Sequence, residues 1–219
     1  MTDIDKLYKA RFSKYERVRK NELWKVLCED FLQQYIGKDD VVVDLGAGSC
    51  EFCNNINAKE KIALDINPDI ETKANKYVKT IISPISSIDS SLRKVHPTVF
   101  FASNLLEHLG SKEEVFDLLK KIFNLLRESG KLLIMQPDIK RVGGEYWDFF
   151  DHKTPITEKS LIDVLTAVGF KIKTLKSPFL PYSTKSRLPM SPFLLKIYLK
   201  SRVLQLLFGK QFFVEAIKK

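Results

Sequence analysis

Asp44 and Asp65, with Gly46 and Gly48 between them, are the residues whose types and spacing best suit a chemical task. Asp44 follows three valines, Val41 to Val43, and precedes the turn Gly46-Ala47-Gly48. The β-branched run marks a buried strand, and the glycines let the backbone of the turn press against a ligand. Asp65 closes the next apolar run, Ile62 to Leu64, one strand–helix–strand step further along. A carboxylate at that place suits a ribose diol, because it accepts two hydroxyl protons at once. The spacing predicts a cofactor that contains a nucleoside.

The dinucleotide fingerprint asks for a third glycine three positions after the second, where this chain has Glu51. A carboxylate at a helix N-terminus also opposes a pyrophosphate. S-adenosylmethionine carries no phosphate, so it tolerates acids in the loop, and Asp44 stands where a methionine ammonium could use it. Val43-Asp44-Leu45-Gly46-Ala47-Gly48 followed by Ala63-Leu64-Asp65-Ile66-Asn67-Pro68 resembles the first two motifs of the class I S-adenosylmethionine-dependent methyltransferases. Phe100 to Leu109 is similar to that family's fourth-strand segment, and Leu126 to Ile134 to the turn and strand that follow. One departure is Cys50, where many members have a third glycine. Another follows the third strand, where Ser83-Pro84-Ile85 replaces the acid that usually holds the adenine amino group.

The resemblance implies a cofactor set of Asp44, Gly46, Ala47, Gly48, Asp65, Ile66, Ser83, Ile85, Ser103 and Asn104. Asp138 also falls at a predicted strand end. Arg11, with Phe12 and Tyr15, either closes over the cofactor's carboxylate or belongs to a charged surface helix.

A second chemical group follows the fifth predicted strand: Glu145, Tyr146, Trp147, Asp148, Phe149, Phe150, Asp151 and His152. Aromatic faces attract a sulfonium, and a base of pKa near 7 could take a hydroxyl proton during methyl transfer. His152, oriented by Asp148 or Asp151, is the candidate base, with Tyr146 beside it. The alternative is a packed lid. His108 either touches the pocket or braces the next helix. Cys50 and Cys53 spell a CxxC, but they read as structural cysteines. Without a second pair, zinc is not expected and no metal ligands are assigned.

These residues need a scaffold. Strands are expected near 40–45, 60–66, 77–82, 97–103 and 130–136, alternating with helices. The clearest helix carries Val115, Leu118, Leu119, Ile122, Leu125 and Leu126 on one stripe, with a capping box at Ser111 and an end at Ser129-Gly130. Residues 4–35 read as two helices, 157–168 as a helix, 169–176 as a strand, 193–207 as an apolar and basic helix, and Gln211–Ile217 as a closing strand. The fold class is α/β: a Rossmann-like doubly wound sheet, mostly parallel with an antiparallel last strand, and helices on both faces. Residues 1–37 are expected to form a helical cap on a 38–219 methyltransferase domain, which carries an insertion at about 178–210.

The 219 residues carry a formal net charge of +9, with three cysteines and no apolar leader at the N-terminus. A reducing, cytoplasmic setting fits, and residues 185–210 either make peripheral contact with an anionic membrane surface at the inner face or form a lid on the domain's own core. The charge favours anionic partners in general. By similarity, Tyr146 to His152 and Phe179 to Pro189 point to O-methylation of a sugar or other small hydroxyl acceptor, phosphorylated or lipid-linked. Nucleic acid is not the expected partner: the fourth strand lacks an Asn-Pro-Pro-Tyr type motif, and no RNA-binding module is visible. An RNA methyltransferase, or a cofactor-binding partner protein without activity, are the other readings.

Overall fold

The structure, a computed structural model, describes residues 14–182 and 191–219. Arg11 and Phe12, the start of the expected N-terminal helices and the middle of the proline-bearing stretch lie outside the described residues, as does the Tyr15 side chain.

Seven strands form one sheet: β1 (Val41–Leu45), β2 (Glu60–Asp65), β3 (Lys79–Ile82), β4 (Val99–Ser103), β5 (Lys131–Pro137), β6 (Phe170–Lys176) and β7 (Gln211–Lys218). Their order is β3-β2-β1-β4-β5-β7-β6. The first five are parallel, and β7 enters antiparallel between β5 and β6. The expected sheet is therefore the observed one.

Both faces of the central strands are buried, as continuous apolar runs require. Val42, Val99, Phe101, Leu133 and Met135 face one layer, with α1 (Lys14–Asp30), α2 (Glu51–Asn55), α3 (Ile70–Lys73) and α8 (Pro192–Lys200). Val43, Leu45, Phe100, Ala102, Leu132 and Ile134 face the other, with α4 (Ile88–Ser91), α5 (Lys112–Leu125) and α7 (Glu158–Val168). Alternation along β1 thus puts Asp44 on the α1–α2 side, where it is only 4% exposed.

Two local expectations are corrected. First, α5 starts where the sequence says, with the Ser111 hydroxyl accepting from the Glu114 N–H at 3.2 Å, but Glu114 reaches back to the Gly110 N–H at 2.9 Å rather than to Ser111. It ends at Leu125, because Leu126 turns extended and buries itself. Gly130 belongs to the turn into β5, where a Cβ would lie 2.7 Å from the Arg127 carbonyl oxygen. Second, the expected 193–207 helix is two, α8 and α9 (Arg202–Phe208), since Ser201 is extended and its hydroxyl caps α9 at Leu204. Of the two helices expected over residues 4–35, the described part holds one, α1, followed by a 3-10 turn at Leu32–Tyr35, and the start of the region lies outside the described residues. The expected α7 and its Thr157 cap form as a full capping box. A further short helix, α6 (Ile139–Val142), directly follows β5. Among the described residues no helix is long and apolar enough to cross a membrane.

Candidate functional site

The carboxyl ends of β3, β2, β1 and β4 lie side by side, and the expected cofactor residues cluster there. Gly46 and Gly48 have φ of 68° and 55°, the left-handed region that favours glycine. Cys50, in the place of a third glycine, is left-handed too, at 59°. The Gly46 and Ala47 N–H groups both donate to the Leu64 carbonyl, at 2.9 and 3.1 Å, which ties the loop to β2. A Cβ on Gly46 would lie 2.8 Å from Leu105 Cδ1, whereas one on Gly48 would meet open space apart from the Gly46 carbonyl at 3.9 Å.

Asp65 spans two loops. Its Oδ2 accepts from the Gly48 N–H and its Oδ1 from the Asn67 N–H, both at 2.8 Å. A carboxylate has about four lone-pair sites, so two acceptor positions remain for hydroxyls. Ile66, just beyond, is an apolar side chain that is 68% exposed. Ser83 donates its N–H to the Asp65 carbonyl, and its buried hydroxyl pairs with Ser91 at 2.6 Å, so it is already committed. Ile85 is half-buried nearby in sequence, Ser103 ends β4, and Asn104 is left-handed with an exposed side chain. Asp138 is buried and caps α6 through the Lys140 N–H, so local structure absorbs it.

Acids crowd the loop. Burial, then the charges of Glu51 and Asp65, push the Asp44 carboxyl well above its ordinary pKa. Such a site opposes phosphate and favours a cation. The cysteines are structural: all three are free and buried, and burial, then Asp44, pushes the Cys50 thiol up to about 12, far from a reactive thiolate.

The second group lies beyond β4 and β5. Glu107 and His108 sit in a 3-10 turn at Leu106–His108, directly after β4. The Glu107 carbonyl accepts from the Lys153 and Thr154 N–H groups at 2.8 and 3.1 Å, which zips that turn to the segment carrying His152. Glu107 is 1% exposed, and its Oε2 accepts from Gln136 Nε2 at 2.8 Å. Burial raises its carboxyl pKa, while His108 and Gln136 oppose the shift. His152 stacks on Phe149 with ring centroids 5.0 Å apart and meets the His108 ring edge-on, also at 5.0 Å.

The expected trio of Tyr146, Asp148 and His152 is arranged differently. Asp148 is exposed on the 3-10 turn Gly143–Asp148, and it is the Tyr146 carbonyl that lies 2.8 Å from His152 Nδ1. Asp151 pairs with His108, Oδ2 to Nδ1 at 3.3 Å. Tyr146 is fully buried, and its hydroxyl donates to the Thr154 carbonyl at 2.5 Å. Burial raises its pKa further from neutrality. Tyr146 therefore braces the segment that carries His152. Glu107 and Gln136 were not expected here. The signals for them were an acid inside an apolar segment and a lone amide ending the buried run of β5.

A cavity of about 340 Å³ opens between α5 and α7, lined by Val115, Phe116, Thr154, Ile156, Leu161 and Val164 among others. It includes none of the glycine-loop residues and touches the histidine group only through Thr154. On the opposite layer, α8 and α9 expose Phe193, Ile197, Val203, Leu206 and Leu207. Three basic residues of this region are tied to the body: Lys196 to Asp30 at 3.5 Å, Lys210 to Glu145 at 2.7 Å, and Arg202 to the Ser177 and Pro178 carbonyls.

No protein-family model matches the sequence, and no curated protein matches it. Solved structures do match. A methyltransferase dependent on S-adenosylmethionine from Archaeoglobus fulgidus aligns with a TM-score of 0.68 and 23% identity, covering 94% of this chain and 98% of its own. One from Thermotoga maritima gives 0.64 and 15%, covering 94% and 95%. Magnesium protoporphyrin IX methyltransferase from Synechocystis PCC 6803, with S-adenosylhomocysteine bound, gives 0.62 and 13%, covering 95% and 89%. The chain has the fold of the class I S-adenosylmethionine-dependent methyltransferases.

Proposed function

We propose that the protein is an S-adenosylmethionine-dependent methyltransferase acting on a hydroxyl group of a sugar or other small acceptor. The observation that carries the cofactor assignment is the acid-lined glycine loop, with Asp44, Glu51 and Asp65 close enough to perturb one another. A pyrophosphate would be repelled there, whereas a sulfonium and an ammonium would be welcomed. The residues fit the cofactor: Gly48 leaves open space for close backbone approach, Asp65 keeps acceptor positions for a ribose, and exposed Ile66 offers an apolar surface for adenine.

S-adenosylmethionine, when bound, supplies an electrophilic methyl group, so the protein's tasks are alignment, exclusion of water and removal of one proton. His152 is the residue nominated to receive the acceptor's hydroxyl proton. Phe149 and the Tyr146 carbonyl hold its ring in place. A lipid-linked glycan is the acceptor class we favour, because α8 and α9 turn apolar side chains outward while Lys196, Arg202 and Lys210 are already paired with groups of the chain itself. That arrangement supports contact with an apolar surface more than attraction by charge.

Labelled cofactor incubated with sugar nucleotides, lipid-linked glycans and RNA tests the assignment. Label in the lipid-linked fraction is expected. Label in RNA alone, or cofactor binding without transfer to any acceptor, would replace this reading with one of its rivals.

A further inference from the structure

We propose that Glu107, His108 and His152 form a binding site for one divalent transition-metal ion of the zinc, cobalt or manganese kind. A potential ligand atom from each of the three residues lies within 4.8 Å of the others. Around an ion with tetrahedral bonds of ~2.1 Å, ligand atoms stand ~3.4 Å apart. Closure therefore asks each pair to approach by no more than about 1.4 Å, a movement shared between two side chains. Two imidazoles and one carboxylate suit borderline cations, whereas magnesium and calcium prefer oxygen alone.

The surroundings match those of a metal site. Ligating groups are normally fixed by outer partners. Here Gln136 donates to Glu107 at 2.8 Å, Asp151 meets His108 Nδ1 at 3.3 Å, and the Tyr146 carbonyl meets His152 Nδ1 at 2.8 Å. Acceptors at both Nδ1 atoms favour the tautomer that carries its proton there and its lone pair on Nε2. The two ligand-bearing segments are joined through the Glu107 carbonyl, so their spacing is set before any ion arrives. Gln136 Oε1 is buried without a hydrogen-bond partner among the described residues, an acceptor that a metal-bound water could satisfy.

This inference deepens the methyltransferase reading and rests on it only for what the ion does. A cation held beyond β4 and β5 would coordinate the acceptor's hydroxyl and lower its pKa, with the proton passing to solvent. His152 would then act as a ligand, and the acceptor's oxygen would be activated by the metal rather than by a lone imidazole.

The test is titration of chelator-treated, desalted full-length protein with Co²⁺, followed by absorption spectroscopy and calorimetry, with Zn²⁺ and Mg²⁺ as competitors. One Co²⁺ per chain is expected, with nitrogen and oxygen ligation, displaced by Zn²⁺ and not by Mg²⁺. His108→Ala and His152→Ala should each weaken binding by about 100-fold or more, and Gln136→Met by about tenfold. His96→Ala, at an exposed loop position, should change nothing. S-adenosylhomocysteine affinity, measured on every variant, reports folding and the cofactor site separately. Absence of Co²⁺ binding by protein that binds S-adenosylhomocysteine would overturn the metal site alone. A thiolate charge-transfer band, or binding indifferent to both histidine variants, would overturn it as well. Co²⁺ bound at the cluster by protein that ignores S-adenosylhomocysteine would keep the site and remove the methyltransferase reading.

Discussion

The loop between β1 and α2 is shaped by its own backbone, whereas the cluster beyond β4 and β5 is shaped by side chains from segments far apart in the chain. In the first region, left-handed Gly46, Gly48 and Cys50 set the path and Asp65 fastens it, all within one strand–helix–strand unit. In the second, Glu107 and His108 meet His152, Asp151 and Gln136 only because β4 and β5 are neighbours. A local site announces itself by spacing. A site assembled across loops does not, and its members trade roles when the loops pack.

The sharpest way to break that contrast is Asp65→Ala. It removes two charge-assisted hydrogen bonds to the loop and the acceptor positions for the ribose. Affinity for S-adenosylhomocysteine should fall by about 100-fold or more. Calorimetry giving wild-type affinity would remove Asp65 from the cofactor site. Next, His152→Ala should lower turnover by about 100-fold with cofactor affinity unchanged. A parallel loss of cofactor affinity would mean that the two regions are one unit.

Paired glycine substitutions sharpen the comparison within the loop. Gly46→Ala meets both a left-handed backbone and Leu105, and should cost about 2–3 kcal/mol in urea unfolding. Gly48→Ala meets only the backbone penalty and should cost about 1 kcal/mol. Equal losses would contradict the role given to Leu105. In the second region, Tyr146→Phe leaves the Thr154 carbonyl without its donor and should cost about 1–2 kcal/mol in the same measurement, with turnover nearly intact.

The smallest effect concerns pH. Burial holds Asp44 protonated in the native state at pH values where the unfolded chain has already ionised. The uncomplexed protein therefore loses stability as pH rises from about 4 toward the raised native value, and the loss is constant above it. A cationic cofactor beside Asp44 lowers that pKa, so binding should release a proton and tighten with rising pH across the same window. Calorimetry in buffers of different ionisation enthalpy measures the proton directly. Affinity independent of pH, with no proton released, would place the ammonium elsewhere.

The fold was largely legible because its signals are local. Val41 to Val43 could hardly lie anywhere but mid-sheet, and the strand positions from β1 to β5 follow from similar apolar runs. The boundaries that differed turned on competing fates for single residues. Leu126 leaves its helix to bury itself, and Ser201 uses its hydroxyl to start a new one. In the histidine region, the types of residue were visible but not their partners. Asp148 and Asp151 lie equally well placed in sequence, yet one is solvent-exposed and the other pairs with His108. Glu107 looked like a neighbour of His108, and only the approach of Gln136 from β5 gives it a fixed position.

The placement of β7 has a consequence for biosynthesis. β5 and β6 each hydrogen-bond to β7 and not to each other, so until residues 211–218 have emerged from the ribosome both strands present open edges. Such edges invite pairing with other chains. A nascent chain stalled before Gln211 would hold most of its helices and no finished sheet, and it would be a natural client for chaperones that shield exposed strands.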